Sequence, residues 1–318
     1  MNEQGPANTN AAVPPTLDHI LGQQQSVQKL KIAVESAFAR GLPLPSVLLT
    51  GPAGVGKSMI ARILAAELGT EYTEVLGQTL ASIAALHGVL IGATPKAIVF
   101  IDEIHELSPA CQIALLKVLD EGAIFLCNGQ SNKVTRLQIA DCTIVAATTN
   151  PEAILRPLLD RFKVVCQLQR YDSQDLVKIL RQKARHLSWT VDETVFAEIA
   201  NRSFGTPRLA LRLLESTYRT ATARGLAAIT EAALQETLAV EGLDSLGLDA
   251  DQQRYLNVLA EAQGPVRINV LASKLRLDPA TVSRSIEDKL LDCDLIERGN
   301  QGRMLTVKGW EHIRRTWH

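Results

Sequence analysis

The stretch LLTGPAGVGKSMIARILAAEL, residues 48–68, begins as an apolar strand, breaks into glycines and continues as an amphipathic helix. The spacing from Gly51 through Gly56 and Lys57 to Ser58 is G-x-x-x-x-G-K-S, the pattern of a phosphate-binding loop. Glycines allow backbone N–H groups to face phosphates, and a helix N-terminus favours their negative charge. The pattern therefore predicts a nucleotide site in which Lys57 reaches the β- and γ-phosphates and Ser58 ligates Mg²⁺.

Composition places the chain among globular proteins. Its 318 residues are 46% hydrophobic and 21% charged, which is enough for two or three domains with separate cores. No apolar run approaches the roughly 20 residues of a membrane span, and residues 1–15 lack the charged and apolar halves of a signal peptide. We expect no membrane association and a disordered lead over residues 1–16. Five scattered cysteines without C-x-x-C spacing favour reduced thiols and a cytoplasmic location.

Charge excludes a protein that coats nucleic acid by bulk electrostatics, because the formal net charge is only −1. A local basic patch is still compatible with this net charge. Residues 298–318 contain five lysines and arginines against the single acidic Glu311, an excess of four. The basic side chains are Arg298, Arg303, Lys308, Arg314 and Arg315. This segment is either a nucleic-acid contact or a solvated face.

Strands and helices alternate in the first half of the chain. Helical periodicity from Ser26 to Arg40 precedes the strand SVLLT, and two further apolar strands occupy residues 97–103 and 142–150. Such alternation predicts a parallel sheet with its ligand site at the carboxyl ends of the strands. Gly51, Asp102 and Thr149 all fall at such ends. We predict an α/β core over residues 17–171.

The second half predicts two smaller domains. Helices alone follow Ser173, which indicates an all-α lid over residues 172–244. The loop GLDSLGLDA then leads to three helices and two short strands. These elements lie near residues 250–263, 268–275 and 279–291 for the helices and 295–298 and 304–307 for the strands. Helices closed by a β-hairpin predict a winged-helix DNA-binding domain over residues 245–318.

An acidic pair, Asp102 and Glu103, ends the second apolar strand. In a phosphate-loop ATPase the first carboxylate helps to hold Mg²⁺, and the second orients and deprotonates the attacking water. Acidic pairs also serve as plain strand-end caps. Four apolar residues before the pair and the phosphate loop upstream favour catalysis.

The arrangement resembles the AAA+ ATPases. AATTNP resembles their sensor 1, which implies that Thr149 hydrogen-bonds the γ-phosphate or the water. RPLLDRF resembles the arginine-finger segment and assigns that role to Arg161, whereas GTPRLALRLL resembles sensor 2 and assigns it to Arg208. The alternatives are a strand-end threonine chosen for β-propensity and two ordinary surface arginines.

Within this class the chain is most similar to the RuvB family, over residues 13–317. IDEIHELSP, GTPR, VVCQLQRY and LIERGNQGRM carry this resemblance. It implies a ring, expected to be a hexamer, that uses ATP and Mg²⁺ to drive branch migration of Holliday junctions. It also implies that Tyr171 contacts adenine, that Val13, Gly54 and Met59 belong to the nucleotide site, and that Arg298 and Arg303 contact DNA.

Three departures from the family pattern stand out. Val13 and Pro14 replace its Arg-Pro, Leu159 replaces the first arginine of LRDRF, and GNQGR replaces TPRGR in the wing. ATP chemistry is expected to survive these changes. They bear on the specific DNA substrate, a four-way junction or duplex DNA, and on the partner protein.

Residues 123–139 alternate in polarity around an Asn-Gly turn, which predicts a β-hairpin. In RuvB-like proteins this hairpin docks the junction-binding partner RuvA, which makes Leu126, Val134 and Leu137 candidate contacts. The hairpin alternatively rests on a neighbouring subunit of the ring. A second functional reading also stays open, in which ATP switches the loading or remodelling of a protein partner and the winged helix contacts protein.

Overall fold

The computed structural model describes residues 16–127, 134–262 and 264–316. Of the predicted lead, only Thr16 lies within these residues. Val13 and the predicted Asn-Gly turn lie outside them. The chain divides into two compact units between Tyr171 and Asp172. Within the described ranges, no helix has the combined length and apolar character needed to cross a membrane.

The first unit is built on a five-stranded parallel sheet and a separate antiparallel hairpin. The strands are β1 (Val47–Thr50), β2 (Tyr72–Leu76), β3 (Ile98–Asp102), β4 (Ala123–Cys127), β5 (Val134–Gln138), β6 (Thr143–Thr148) and β7 (Val164–Gln167). The strand order in the sheet is β2-β3-β6-β1-β7, and β4 and β5 form the hairpin. The helices are α1 (Gln24–Arg40), α2 (Lys57–Leu68), α3 (Ile83–Ile91), α4 (Pro109–Glu121) and α5 (Arg156–Leu159).

Burial separates the central strands from the edge strands. All six residues of β6 are buried, as are the first four of β3, because each strand is covered on both faces. The edge strand β2 has no buried residue. The sequence therefore predicted the three central strands, whereas β2 and β7 lack the apolar run that marks a buried strand.

The second unit contains the predicted lid helices and the winged helix. The lid helices are α6 (Ser173–His186), α7 (Glu193–Asn201), α8 (Pro207–Ala223) and α9 (Glu231–Glu241). The remaining elements are α10 (Ala250–Ala262), α11 (Ile268–Leu275), α12 (Pro279–Thr281), α13 (Asp288–Asp292), β8 (Ile296–Gly299), β9 (Gly302–Leu305) and α14 (Val307–Thr316). Asp172 and Thr230 cap α6 and α9 by accepting backbone N–H groups.

Two predicted elements of the winged helix are wrong in detail. The single helix predicted over residues 279–291 contains a π-helical section, Val282–Glu287, between α12 and α13. This section turns Glu287 inward beside Val282 and Ile286, whereas a regular α-helix period places only Val282 and Ile286 on one face. The strand predicted over residues 304–307 ends at Leu305, and α14 begins at Val307.

The loop between the lid and the winged helix is fastened at several points. Asp244 accepts backbone N–H groups of Leu246 and Leu248 at 2.9 Å, and its Oδ2 lies 2.8 Å from His312 Nε2 on α14. Lys289 Nζ on α13 donates to the Gly247 carbonyl at 2.7 Å. These contacts attach the loop to the winged helix on two sides.

The surroundings of two helical glycines, Gly309 and Gly88, predict opposite effects on stability when each is replaced by alanine. A Cβ on Gly309 in α14 would lie 2.1 Å from the Leu295 carbonyl oxygen, whereas a Cβ on Gly88 in α3 meets nothing within 4 Å. Gly309→Ala should therefore destabilise the second unit by about 1–3 kcal/mol. Gly88→Ala should stabilise the first unit by about 0.5–1 kcal/mol. Chemical unfolding followed by circular dichroism measures both, and a Gly309→Ala protein as stable as the wild type would contradict this packing.

Candidate functional site

The glycine-rich loop after β1 has a backbone that only glycine adopts readily. Gly51, Gly54 and Gly56 have φ values of 138°, 77° and 106°, in the region that L side chains disfavour. A Cβ on Gly51 would also lie 2.3 Å from the Leu168 carbonyl oxygen. The loop thus closes tightly against the end of β7 and leads into α2.

Lys57 begins α2 and is only 6% exposed. Its Nζ donates to the carbonyl oxygens of Gly51 and Pro52, both at 2.9 Å. The loop itself therefore holds the ammonium group, which provides a positive charge in position for a phosphate. Met59 follows two positions later, partly buried in the first turn of the helix.

Ser58 and Asp102 meet at the carboxyl edge of the sheet. Ser58 Oγ donates to Asp102 Oδ2 at 3.1 Å, and Asp102 Oδ1 accepts the Glu103 N–H at 3.0 Å. A hydroxyl oxygen and a carboxylate oxygen are ligands that Mg²⁺ prefers. The structure thus brings together the two residues predicted as metal ligands.

Glu103 directly follows β3 in a strained backbone conformation, with a φ of 49° and a ψ of 53°. Gly77 lies against it, because a Cβ there would be 2.4 Å from the Glu103 carbonyl oxygen. Backbone strain of this kind persists only where surrounding structure enforces it, and it concentrates at functional sites.

The Glu103 carboxylate is held through one oxygen. Its Oε2 accepts the backbone N–H of Thr149 at 3.2 Å and the Thr149 hydroxyl at 3.1 Å, and His105 Nδ1 lies 3.2 Å away. The same His105 nitrogen is 3.0 Å from the hydroxyl of Thr148, which is fully buried. Oε1 has no protein partner among the described residues.

Sequence reasoning missed His105. Its imidazole connects the acidic pair on β3 with the end of β6, and its Nε2 lies 3.4 Å from Glu106 Oε1. The available signal was its position two residues after Glu103, just beyond a strand end. Thr149, predicted to contact phosphate or water, donates its backbone N–H and its hydroxyl to Glu103.

The other residues predicted to act on the nucleotide are Arg161, Tyr171 and Arg208. Arg161 is exposed and forms an ion pair with Asp120 on α4. Tyr171 is buried, 7% exposed, at the end of the first unit. Arg208 is an exposed residue in the first turn of α8, in the second unit.

The wing brings its two predicted DNA-binding arginines together. Arg298 on β8 and Arg303 on β9 are directly opposite each other in the hairpin. Both bind the fully buried carboxylate of Glu287, from Nε atoms at 2.8 and 2.9 Å, and their side chains are 40% and 19% exposed. Sequence reasoning missed Glu287, which lies in the unpredicted π-helical section.

The hairpin of β4 and β5 carries exposed apolar side chains. Leu126 and Leu137 are each 41% exposed, and Val134 begins β5. Ile124 pairs with Leu137, and Leu126 pairs with Thr135. The leucines are thus available on the part of the hairpin that the structure describes.

A phosphate-binding loop, an acidic pair at a nearby strand end, a helical lid and a winged helix together define an AAA+ P-loop ATPase core with a winged-helix domain. Sequence models match it in three consecutive segments: the Holliday junction DNA helicase RuvB P-loop domain at residues 13–168, the RuvB AAA lid domain at 171–244 and the RuvB C-terminal winged helix domain at 245–314. The chain belongs to the RuvB family.

Similarity to known proteins extends over nearly the whole length. The Holliday junction branch migration complex subunit RuvB of Paramagnetospirillum magneticum is 34% identical, across 98% of this chain and 91% of its own. The corresponding subunit of Granulibacter bethesdensis is 36% identical, across 94% and 85%. The Thermotoga maritima RuvB Holliday junction branch migration motor superimposes with a TM-score of 0.83 at 30% identity, covering 95% of this chain and 98% of that one.

The contacts of His105 generate a prediction for nucleotide hydrolysis. His105→Ala removes one neighbour of Glu103 Oε2 and should lower kcat by about ten- to a hundredfold, because small displacements of a reacting group are costly. Nucleotide affinity should stay unchanged, since the partners of His105 among the described residues are Glu103, Glu106 and Thr148, all outside the phosphate loop. Steady-state ATPase kinetics and fluorescent-nucleotide titration measure the two quantities.

His105→Asn, which retains a side-chain donor, should recover part of this rate. Glu106→Gln is the matched control, because Glu106 touches only the far nitrogen of the ring. Wild-type kcat in the His105→Ala protein would remove His105 from the positioning of Glu103.

Proposed function

We propose that the chain is an ATP-driven DNA motor of the RuvB type, which hydrolyses ATP in a ring and drives Holliday junction branch migration in recombination and repair. The observation that carries this proposal is the cluster of Lys57, Ser58, Asp102 and Glu103 at one edge of the sheet. It occurs in a chain whose three segments all match the RuvB family. The cytoplasm is the compartment that we assign to it.

The phosphate loop fits a nucleotide with Mg²⁺. The three glycines leave the loop without side chains that would fill it, and Lys57 stands ready as the positive partner. Ser58 and Asp102 would hold the metal ion, and Gly51, Gly54 and Gly56 would present backbone N–H groups to the phosphates. Bound Mg²⁺ neutralises charge on the transferring phosphate group.

Glu103 is the residue that we assign to the attacking water. Its Oε2 is occupied by Thr149 and His105, whereas Oε1 has no protein partner in the described ranges. Oε1 is therefore the atom that would accept the proton of the water. Thr149 holds the carboxylate in place. We also assign to Thr149 the sensor 1 role that the family pattern implies.

The remaining nucleotide residues are assigned from the family pattern. Arg161 is proposed as the finger that reaches the ATP of a neighbouring subunit, and Arg208 as sensor 2. Tyr171 would contact adenine, and Val13 and Met59 would complete the nucleotide site. A ring agrees with a site shared between subunits, because each ATP then needs two protomers, and six subunits is the number that the family pattern implies.

Coupling between ATP and DNA would pass through the lid. Residues 172–244 would form the lid and residues 245–318 the winged helix, with residues 17–171 as the ATPase core. Asp244, His312 and Lys289 fasten the connecting loop, and burial lowers the pKa of the Lys289 ammonium group. A lid that moves with nucleotide state would thus carry the DNA-binding wing with it.

A RuvA-type protein is the partner that we propose for the hairpin of β4 and β5. Leu126 and Leu137 are exposed there, and the partner's apolar surface would cover them. The alternative function, an ATP switch that loads or remodels a protein, uses the same nucleotide site but needs no DNA. Stimulation of the ATPase by a synthetic four-way junction or duplex supports the motor, whereas ATPase activity that DNA leaves unchanged supports the switch.

Substitutions separate nucleotide binding from turnover. Lys57→Ala should abolish nucleotide binding, because the phosphates lose their positive partner. Glu103→Gln should keep binding and lose turnover, because the amide cannot accept the proton. Nucleotide titration and ATPase assays check both, and normal turnover by the Glu103→Gln protein would remove Glu103 from the catalytic role.

The role proposed for Arg161 predicts that two inactive variants, Arg161→Ala and Glu103→Gln, complement each other in a mixed ring. A finger supplied by a neighbour contributes about 10³- to 10⁵-fold in turnover. Arg161→Ala leaves an ATP site intact but offers no finger, whereas Glu103→Gln offers a finger but cannot hydrolyse. Mixed rings should therefore show ATPase activity above that of either parent, highest near an equal mixture.

Arg156→Ala is the matched control, because Arg156 is an exposed arginine on the same segment and should keep activity alone. Native mass spectrometry must confirm mixed rings. Mixed rings without activity would show that Arg161 does not act across a subunit boundary.

A further inference from the structure

A single buried carboxylate connects both wing arginines to the helices beneath them. Glu287 is 0% exposed. Arg298 places Nε and Nη2 at 2.8 Å from Oε2, and Arg303 places Nε at 2.9 Å from Oε1 and Nη2 at 3.3 Å from Oε2. The hydroxyl of the fully buried Tyr255 on α10 donates to Oε1 at 2.8 Å. Both carboxylate oxygens are thus fully engaged.

The two guanidinium groups are restricted in orientation by these bonds. Arg298 Nη2 also lies 3.4 Å from the carbonyl and the hydroxyl oxygens of Ser283. In the described part of the chain the Nη1 groups of Arg298 and Arg303 have no protein acceptor. Each arginine therefore keeps donors available after it has bound Glu287, and the hairpin register places the two side by side.

Burial of the Glu287 carboxylate restricts rearrangement of the two guanidinium groups that bind it. Removing a carboxylate from water is costly unless strong hydrogen bonds compensate, and Glu287 accepts such bonds from both arginines and from Tyr255. Burial and the bond to Glu287 raise the pKa of the Tyr255 hydroxyl, which keeps it a donor. The network fixes the guanidinium groups before any ligand arrives, which lowers the entropy cost of binding.

We propose that Glu287 is a positioning residue of the DNA-binding wing, whose buried carboxylate holds Arg298 and Arg303 as a fixed pair for adjacent DNA phosphates. The inference rests on the proposed function, in which the wing binds DNA. The effect on DNA affinity that we assign to the Glu287 charge is opposite in sign to the effect that simple electrostatics predicts. A negative charge beside two DNA-binding cations weakens attraction to phosphates, yet Glu287 is assigned to strengthen binding.

Glu287→Gln tests this sign. It keeps the size of the side chain but removes the charge that fixes both arginines. Titration of a fluorescent four-way junction at several salt concentrations should give a higher Kd than for the full-length wild type. The slope of log Kd against log salt should fall by about one to two units, since each phosphate contact contributes about one. Binding that is equal or tighter would overturn the proposal.

Two control variants separate positioning from charge and from stability. Asp288→Asn removes an exposed negative charge 3.7 Å from Arg298 Nη2, and should bind DNA as tightly as the wild type or more tightly. Tyr255→Phe removes a bond to Glu287 but leaves both arginine pairs, so it should lower the melting temperature without changing the salt slope. Loss of DNA binding in Tyr255→Phe equal to that in Glu287→Gln would assign a merely structural role and overturn the proposal.

Arg298→Lys keeps the proposal testable if Glu287→Gln does not fold. The lysine retains the positive charge but cannot make the two-point contact with Oε2. Weaker junction binding supports positioning, and unchanged binding overturns it. Wild-type protein that binds neither junction nor duplex would refute the proposed function and this inference with it, whereas wild-type binding with unaffected variants refutes the inference alone.

Discussion

The 3.1 Å hydrogen bond from Ser58 Oγ to Asp102 Oδ2 joins the helix after β1 to the end of β3, although β6 lies between these strands. The sheet makes this contact possible because its strands are parallel and all end at one edge. The phosphate loop and the acidic pair therefore meet at this edge. Glu103, the second residue of the pair, has a left-handed backbone conformation, and Gly77 leaves room for its carbonyl oxygen at close range.

Buried carboxylates organise the second unit in a similar way. Asp244 lies in the loop between the lid and the winged helix and joins it to His312 on α14, and Glu287 joins the wing to the helices below it. Such groups are stable only when hydrogen bonds satisfy them, so each holds its partners in one arrangement. The connecting loop and the wing are thereby attached to the helices of the winged-helix domain through directional contacts, in addition to the apolar core of that domain.

The sequence was sufficient for residues whose role follows from a strong local pattern. The phosphate loop, the central strands and the lid helices are visible in glycine spacing and apolar periodicity. His105 and Glu287 were not predictable in this way, because their importance comes from contacts with Thr148, Arg298 and Arg303, residues distant in the chain. The π-helical section was missed for a related reason, since one additional residue in a turn leaves the apolar pattern nearly unchanged.

ATP-driven movement of a DNA junction is tested most directly by strand separation in real time. A synthetic four-way junction with a fluorophore and a quencher on different arms would be mixed with the wild-type chain and a RuvA-type protein. A motor should separate the arms with ATP and Mg²⁺, and should leave them joined with a non-hydrolysable analogue. Steady ATP hydrolysis in the presence of the junction, without any separation of its arms, would contradict the motor function.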